Sequence, residues 1–410
     1  MRLPSLKGRR LVSALLFAGA ALVAGAVIGA CTSDEDDQQA QATEQQQQQM
    51  EQQDQPAEQQ QQEQQRAAPR AQDSGEPRGN TIQLVQDRGT LKCGVKQTQP
   101  LFGFRDDQGN VTGFDIEFCK AIAAAVLKDA DAVEYVDASD ASTRFELLAD
   151  GQIDILIRTT TITSSRDMEL DVDFAQTTFY TGQGFAVRKD SGINSTSDMA
   201  NAAICVQTGT TTEQNVADHF TDIGLDYEPT GGLSQDVAAA FFEGRCDVLT
   251  ADASDLASRI VVRDDADDYK ILPQIISKEP LAPGVRDYDS DWKDVVNWVV
   301  HGLIRAEEIG ITQANVAAMA SNPPNTEVAR LLGVPFGDGE VAALGFDVVD
   351  AQFIQRAIAA VGNYGEIYDR EIGNAIPRDC TLNALARPLP SEAVDCGPGE
   401  GGIMYALPYR

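Results

Sequence analysis

The sequence is poor in the residues from which several kinds of active centre are built. Only two histidines, His219 and His301, occur in 410 residues, and no Cys-x-x-Cys pair exists. A zinc or thiol-redox centre therefore has almost nothing to be made from, and no metal or other cofactor is expected. No Ser/His/Asp set is evident, which leaves nucleophilic hydrolysis without machinery. Positive charge is scarce as well: 32 Lys and Arg face 63 Asp and Glu, a formal net charge of −31. Without a basic excess to displace counterions, nucleic-acid binding is excluded. Docking on an anionic membrane through a polybasic patch is excluded on the same ground. Residues 32–79 have almost no aliphatic side chains, and 18 of these 48 positions are Gln. Such a stretch cannot bury enough apolar surface to offset its chain entropy and reads as a solvated linker. Its interspersed acids oppose the aggregation that Gln tracts favour.

What is present is informative. Apolar residues make up 42% of the chain, enough for a packed core, and the length suits two or three domains. The N-terminal 30 residues carry four basic groups, Arg2, Lys7, Arg9 and Arg10, and no acid. An apolar run from Leu11 to Ile28 follows and ends in Ile28-Gly29-Ala30-Cys31. A positive start, an apolar centre and small residues before a cut site describe a secretory signal over 1–30. A transmembrane anchor is the alternative, since 18 apolar residues can just span a bilayer. The residues before Cys31 resemble the bacterial lipobox, in which the Cys is lipidated and becomes the first mature residue. On that reading Cys31 anchors the protein to the membrane, and 31–79 is a leash to an extracytoplasmic globular head.

Setting Cys31 aside leaves six cysteines, and an even number in an exported chain suggests disulfides. Of the possible pairings, nearest neighbours are favoured: Cys93 with Cys119, Cys205 with Cys246, and Cys380 with Cys396. Each pair falls within one structural unit; one or two buried free thiols are the alternative.

The periodicities alternate between strand and helix. LKCGVK is a strand; 115–127 is a helix with Ile116, Cys119, Ile122, Ala123 and Val126 on one face; AVEYVDA is a strand; 142–149 is a short helix stopping near Gly151; and IDILIR is a buried strand. A second unit repeats the order: the strand AAICVQTG, a helix over 211–220, the strand LDYEP, a helix over 234–243, then Gly244 and the strand CDVLTAD. A Gly-x-x-Asp precedes the third strand in both. This is an α/β pattern with parallel sheets, whose ligand sites lie at the carboxyl ends of strands. Two lobes follow, 80–180 with 286–410 and 188–276, joined by crossings at 181–187 and 277–285. Two lobes with two crossings make a hinged cleft.

Several long stretches, in order, resemble the amino-acid-type periplasmic binding proteins of ABC importers. They are GFDIEFCKAIAAAVL, RFELLADGQIDILIRTTTITSSRDMELDVDF, CVQTGTTTE, GRCDVLTAD and ISKEPLAPGVR. Within that group the chain is similar to the general L-amino-acid binding proteins, from about residue 81 onward, with departures near 321–345 and 376–400. The resemblance implies the two-lobed type II periplasmic-binding-protein fold. It also implies a free L-amino acid as ligand, a membrane permease as partner, and transfer by hinge closure.

Capturing a free amino acid requires a cation for the carboxylate and an anion for the ammonium. Arg166 stands where the family places its carboxylate-binding Arg, and a guanidinium matches a carboxylate bidentately. Thr160, Thr161 and Thr163 in the preceding loop supply hydroxyl and backbone donors. Asp252 stands where the family places the ammonium-binding acid; as an isolated residue it also suits a helix N-cap. Thr210 and Thr211 open a helix, whose N-terminal N–H groups favour a carboxylate, although simple capping uses the same geometry. Gln97, Phe102 and Phe104 follow the first strand, where relatives often pack an aromatic against the ligand; core packing is the alternative there. Many single-substrate relatives have an aromatic near position 141, and this chain has Ala141, which fits broad specificity. A secreted dehydratase of the same fold and an amino-acid-sensing module are the competing functions.

Overall fold

The computed structural model describes residues 79–337, 339, 349–373, 375–378, 381–386 and 402–409. Cys31, Cys380 and Cys396, with the signal and leash segments, lie outside the described residues. Helix α1 (Thr81–Arg88) leads into β1 (Leu91–Val95), the small three-stranded sheet of β2 (Thr98–Gln99), β3 (Gly103–Arg105) and β4 (Val111–Thr112), then α2 (Phe114–Leu127) and β5 (Val133–Asp137). There follow α3 (Arg144–Ala149), β6 (Ile155–Leu156), α4 (Ser164–Glu169) and β7 (Val172–Phe174). The chain then crosses through β8 (Phe179–Thr181) into β9 (Gln183–Arg188). The second lobe runs β10 (Ala203–Gln207), α5 (Thr211–Ile223), β11 (Glu228–Gly232), α6 (Ser234–Phe242), β12 (Val248–Asp252), α7 (Ala253–Val261) and β13 (Tyr269–Ile271). The return is through β14 (Glu279–Leu281) and β15 (Gly284–Arg286) to α8 (Ser290–Glu308), α9 (Val316–Ser321), α10 (Thr326–Leu332), α11 (Phe353–Val361) and α12 (Tyr364–Tyr368).

The two large sheets have the same plan. Their orders are β5-β1-β6-β15-β7 and β11-β10-β12-β9-β13. In each, three strands are parallel and the fourth, which follows a passage between the lobes, is antiparallel. The repeated Gly-x-x-Asp has one job in both. Gly151 and Gly244 turn the chain at φ +69° and +76°, a region that favours glycine. The Asp that follows then fixes the start of the first strand: Asp154 Oδ2 accepts from Lys92 N at 2.7 Å, and Asp247 Oδ2 accepts from Ala203 N at 2.8 Å. Disulfides Cys93–Cys119 and Cys205–Cys246 are formed, with Cα–Cα separations of 6.2 and 5.8 Å.

Both sheets are covered on both faces. In lobe 1 the larger face buries α2, α8 and α11, with Phe102, Phe114, Phe118, Phe179, Tyr364 and Tyr368 in one aromatic cluster. Asp289 caps two helices at once, accepting from Thr81 N at 3.0 Å and from Trp292 N at 3.2 Å. Phe185, Val206, Val216 and Phe220 cover one face of the lobe 2 sheet, and Ala186, Cys205, Phe241 and Leu256 the other.

Two details differ from the sequence expectation. The stretch 183–188, read there mostly as a crossing, is a strand inside the second sheet, paired antiparallel with β12 and β13. The chain instead passes between lobes where β8 and β14 pair, Thr181 opposite Glu279. The strand assigned to LDYEP begins three residues later, because the parallel register with β10 matches Ala203 to Glu228. Leu225 and Tyr227 pack against the lobe 2 core before that strand starts. From the C-terminal region, Asn383 clasps β8: Tyr180 N donates to Asn383 Oδ1 at 2.7 Å, and Asn383 Nδ2 donates to Tyr180 O at 2.9 Å.

Candidate binding site

The carboxyl ends of the parallel strands in both sheets point at one cavity. Lobe 1 contributes Lys96 just after β1, Arg144 at the start of α3, Arg158, Thr159 and Thr161 after β6, and Arg166 in α4. Lobe 2 contributes Gln207 at the end of β10, Thr210–Thr212 at the start of α5, Asp252 at the end of β12, and Asp255 and Arg259 in α7.

Local structure fixes these side chains. Thr163 is the N-cap of α4, its Oγ1 accepting from Arg166 N at 3.2 Å. This first turn carries the Arg166 guanidinium back so that Nη1 donates to Thr161 O at 2.8 Å. Arg166 is 7% exposed, and no carboxylate of the described residues lies within 4.0 Å of it. Burial lowers its pKa to about 10, against the opposing pull of Glu279 and Asp252, so it stays charged at neutral pH. Arg158 is lowered to about 10 by burial and by Arg166, and donates from Nη2 to Ser139 O at 2.9 Å. Thr159 adopts φ +51°, unusual for a β-branched residue, and its N–H donates to the buried Asp115 carboxylate at 2.9 Å. Burial pushes Asp115 up to about 7, although Thr159 N–H and Arg158 oppose the shift.

Across the cleft, Asp252 occupies the N-cap position of α7 but makes no side-chain capping bond. Among the described residues its carboxylate has no hydrogen bond and no ion pair. Desolvation pushes it up to about 8, reinforced by Glu279 and Asp255 and opposed by Lys96 and Arg166. Asp255 is already paired: Lys96 Nζ lies 3.5 Å from Oδ2 and Arg259 Nε 2.8 Å from Oδ1. Burial would raise the Asp255 carboxyl, but Arg259 and Lys96 carry it below the ordinary range. Lys96 is itself lowered to about 8 by burial, with Asp255 opposing.

The lobes are bridged. Lys96 reaches Asp255, Arg259 Nη1 donates to Thr98 O at 3.4 Å, and Gln207 Nε2 donates to Ser139 O at 3.3 Å. At the joint itself, the buried Glu279 of β14 accepts from Thr161 Oγ1 of lobe 1. It also accepts from Thr211 Oγ1 of lobe 2 at 3.0 Å, Asn215 Nδ2 at 2.8 Å and Ser277 Oγ at 2.6 Å.

Of the residues proposed from sequence, Arg166, Thr161, Thr210, Thr211 and Asp252 line this one cavity. Thr160 and Thr163 do not; Thr160 is buried behind the wall and Thr163 serves as the cap. Phe102 is fully buried in the aromatic cluster, because alternation along its loop turns it to the core. Phe104, 42% exposed, faces an outer depression with Phe242 and Val262. Gln97 is held outside the cavity by Arg105 Nε, which donates to its Oε1 at 2.6 Å. Sequence reasoning missed Lys96, Arg144, Arg158, Asp255, Arg259 and Glu279. The rule that strand carboxyl ends carry ligands pointed to Lys96 and Arg158, and the i, i+3 spacing from Asp252 pointed to Asp255; nothing local marked Glu279. Neither histidine lines the cavity: His219 sits in α5 and His301 in α8.

Residues 91–314 match the family described as bacterial extracellular solute-binding proteins, family 3. The chain is 43% identical to the glutamate/glutamine/aspartate/asparagine-binding protein of Rhodobacter capsulatus, over 82% of this chain and 95% of the relative. It is 42% identical to the general L-amino acid-binding periplasmic protein of Rhizobium johnstonii, over 84% and 97%. An ABC transporter periplasmic binding protein from Brucella ovis, solved with glutathione bound, superposes with a TM-score of 0.72 at 39% identity, covering 80% of this chain and 99% of that one.

Proposed function

The chain belongs to the bacterial extracellular solute-binding proteins of family 3, and from that premise we propose how it holds its ligand. It is an extracytoplasmic amino-acid-binding protein of an ABC importer, a carrier rather than an enzyme. The ligand's α-carboxylate pairs with Arg166 and takes further donors from the start of α5, where Thr210 and Thr211 stand. Its α-ammonium pairs with Asp252. The observation that carries this assignment is an unpaired buried guanidinium and an unpaired carboxylate, from opposite lobes, lining the same cavity. A zwitterion supplies the missing partner for each, and so draws the lobes together. Closure then presents both lobes to the permease, with movement about the β8–β14 joint.

Cys31 is the lipid anchor, with 1–30 the removed signal and 31–79 the leash; the supporting observation is the small-residue run ending at that Cys. Replacing Cys31 by Ser should release the protein from membranes, and unchanged anchoring would reinstate a transmembrane segment.

The ligand assignment is tested by thermal shift over the common L-amino acids. A ligand that binds only the native state raises the melting temperature with its concentration. At least one should do so here, and a flat panel would remove the reading.

A further inference from the structure

We propose that Asn383, in the C-terminal segment 381–386, is a positioning residue for ligand capture: it clasps the hinge strand β8 and confines the movement of the outgoing crossing to Thr181 and Gly182. The proposal rests on the amino-acid-carrier reading above and adds to it a part of the closing machinery that stands outside the cavity. Along one side β8 pairs with β14, Phe179 opposite Leu281, Tyr180 opposite Pro280 and Thr181 opposite Glu279. Pro280 has no N–H to give, and its C=O accepts from Ile162 N at 2.9 Å. The backbone groups of Tyr180 therefore find no partner in β14. Asn383 supplies both partners from the other side: its Oδ1 accepts from Tyr180 N at 2.7 Å and its Nδ2 donates to Tyr180 O at 2.9 Å, as a neighbouring strand would.

The clasp is itself held. Arg378 Nε donates to Asn383 O at 2.7 Å, while its Nη1 and Nη2 grip the two carboxylate oxygens of Glu307 in α8 at 2.5 and 3.0 Å. The Arg378 guanidinium carbon lies 4.8 Å from the centre of the Tyr364 ring, and the Tyr364 hydroxyl donates to Thr178 O at 2.8 Å, just before β8. Asn383 is 4% exposed, so little water competes for its amide. On the far side of the joint, Gln183 opens β9 and is already part of the lobe 2 sheet. Only Thr181 and Gly182 remain between the clasped residue and that sheet. Gly182 is where the two crossings approach most closely, since a Cβ there would collide with Ile275 and with Ser277 O. Fixing β8 up to Tyr180 narrows the set of open arrangements and raises the share from which closure follows. Without the clasp the lobes spread over more open arrangements, and every ligand loses affinity by the same factor, because the binding-competent fraction has fallen.

The experiment compares the full protein with Asn383→Ala, folding being checked by circular dichroism. Spin labels are attached at the exposed positions Glu134 of lobe 1 and Asp222 of lobe 2 through azide-bearing residues, which leaves the cysteines untouched. Without ligand, pulsed electron resonance should show a broader distribution of distances between the lobes in Asn383→Ala, moved outward. Calorimetry with L-glutamate, L-glutamine and L-leucine should show affinity lowered by about three- to tenfold, by the same factor for each that binds. That uniformity separates a hinge role from a ligand contact, and a merely structural role would lower the unfolding temperature without moving either readout. An unchanged distance distribution would overturn the proposal, as would unchanged affinity or a loss confined to one amino acid. Binding of none of the three would count against the amino-acid reading alone, and the ligand-free distances would still decide the clasp. If Asn383→Ala does not fold, Asn383→Asp, which keeps the acceptor for Tyr180 N and loses the donor to Tyr180 O, should move both readouts the same way, and no movement would overturn the proposal.

Discussion

Lobe 1 and lobe 2 share a strand order and a repeated contact, Asp154 to Lys92 N–H in one and Asp247 to Ala203 N–H in the other, yet their cleft walls differ in charge. Lobe 1 turns Lys96, Arg144, Arg158 and Arg166 inward; lobe 2 turns Asp252 and Asp255 inward, with Arg259 behind them. The shared frame fixes where strand ends meet the cleft, and the residue at each end supplies the chemistry. On the proposed binding mode, splitting the charges between lobes makes a zwitterion the bridge between them, which couples binding to closure.

The split can be broken from its strongest side first. Arg166→Ala should cost about 2–5 kcal/mol of binding, because the ligand carboxylate loses its charged partner in a buried site. Calorimetry checks this, and a loss under tenfold would reassign Arg166.

The acidic side comes next. Asp252→Asn should weaken amino acids while sparing analogues without the ammonium; equal loss for both would favour a structural role at the start of α7. The unaltered protein adds a pH signature. Without ligand, Asp252 titrates at about 8, and an ammonium favours its charged form, so its pKa falls on binding. Below that pH, binding must expel a proton, and affinity should drop by up to about tenfold per pH unit. Lys96, lowered to about 8, loses its charge in the opposite direction, above that pH. Calorimetry in buffers of different ionisation enthalpy should therefore show proton release near neutral pH, and Asp252→Asn should abolish it.

Glu279 is the point where the comparison is joined rather than divided, since it accepts from Thr161 of one lobe and Thr211 of the other. Glu279→Gln keeps the shape but loses charge-assisted acceptors, and should weaken binding by about 1–2 kcal/mol through a less favourable closed arrangement. Small-angle scattering of the ligand-bound variant should show a larger radius of gyration; an unchanged radius and affinity would make the contact incidental. The smallest effects test the shared frame. Asp154→Ala and Asp247→Ala should each cost about 1–3 kcal/mol of stability by orphaning a strand N–H. Asp154 should be the costlier, because it also pairs with Arg88. Denaturant midpoints measure both.

Much of this was legible in the sequence because it is local. The 3.6 and 2.0 periodicities located the helices and most strands, and neighbouring cysteines in one unit became Cys93–Cys119 and Cys205–Cys246. Arg166 and Asp252, which line the cavity, stand out in the sequence because each follows a strand in a recognisable stretch. What stayed hidden depends on partners distant in sequence. Periodicity marks 183–188 as a strand-like run but cannot say that it pairs antiparallel inside the second sheet. Glu279 reads as one acid among many until the return crossing sets it between Thr161 and Thr211. Phe102 and Phe104 differ by two residues in one loop, and only packing sends the first to the core and the second outward.

The claim that the lobes divide the two charges of one amino acid is tested most directly by a crystal structure with the amino acid that gives the largest thermal shift. The account predicts the α-carboxylate within about 3 Å of the Arg166 guanidinium and the α-ammonium within about 3 Å of the Asp252 carboxylate. A ligand with these two groups exchanged, or one held outside the cleft, would contradict it.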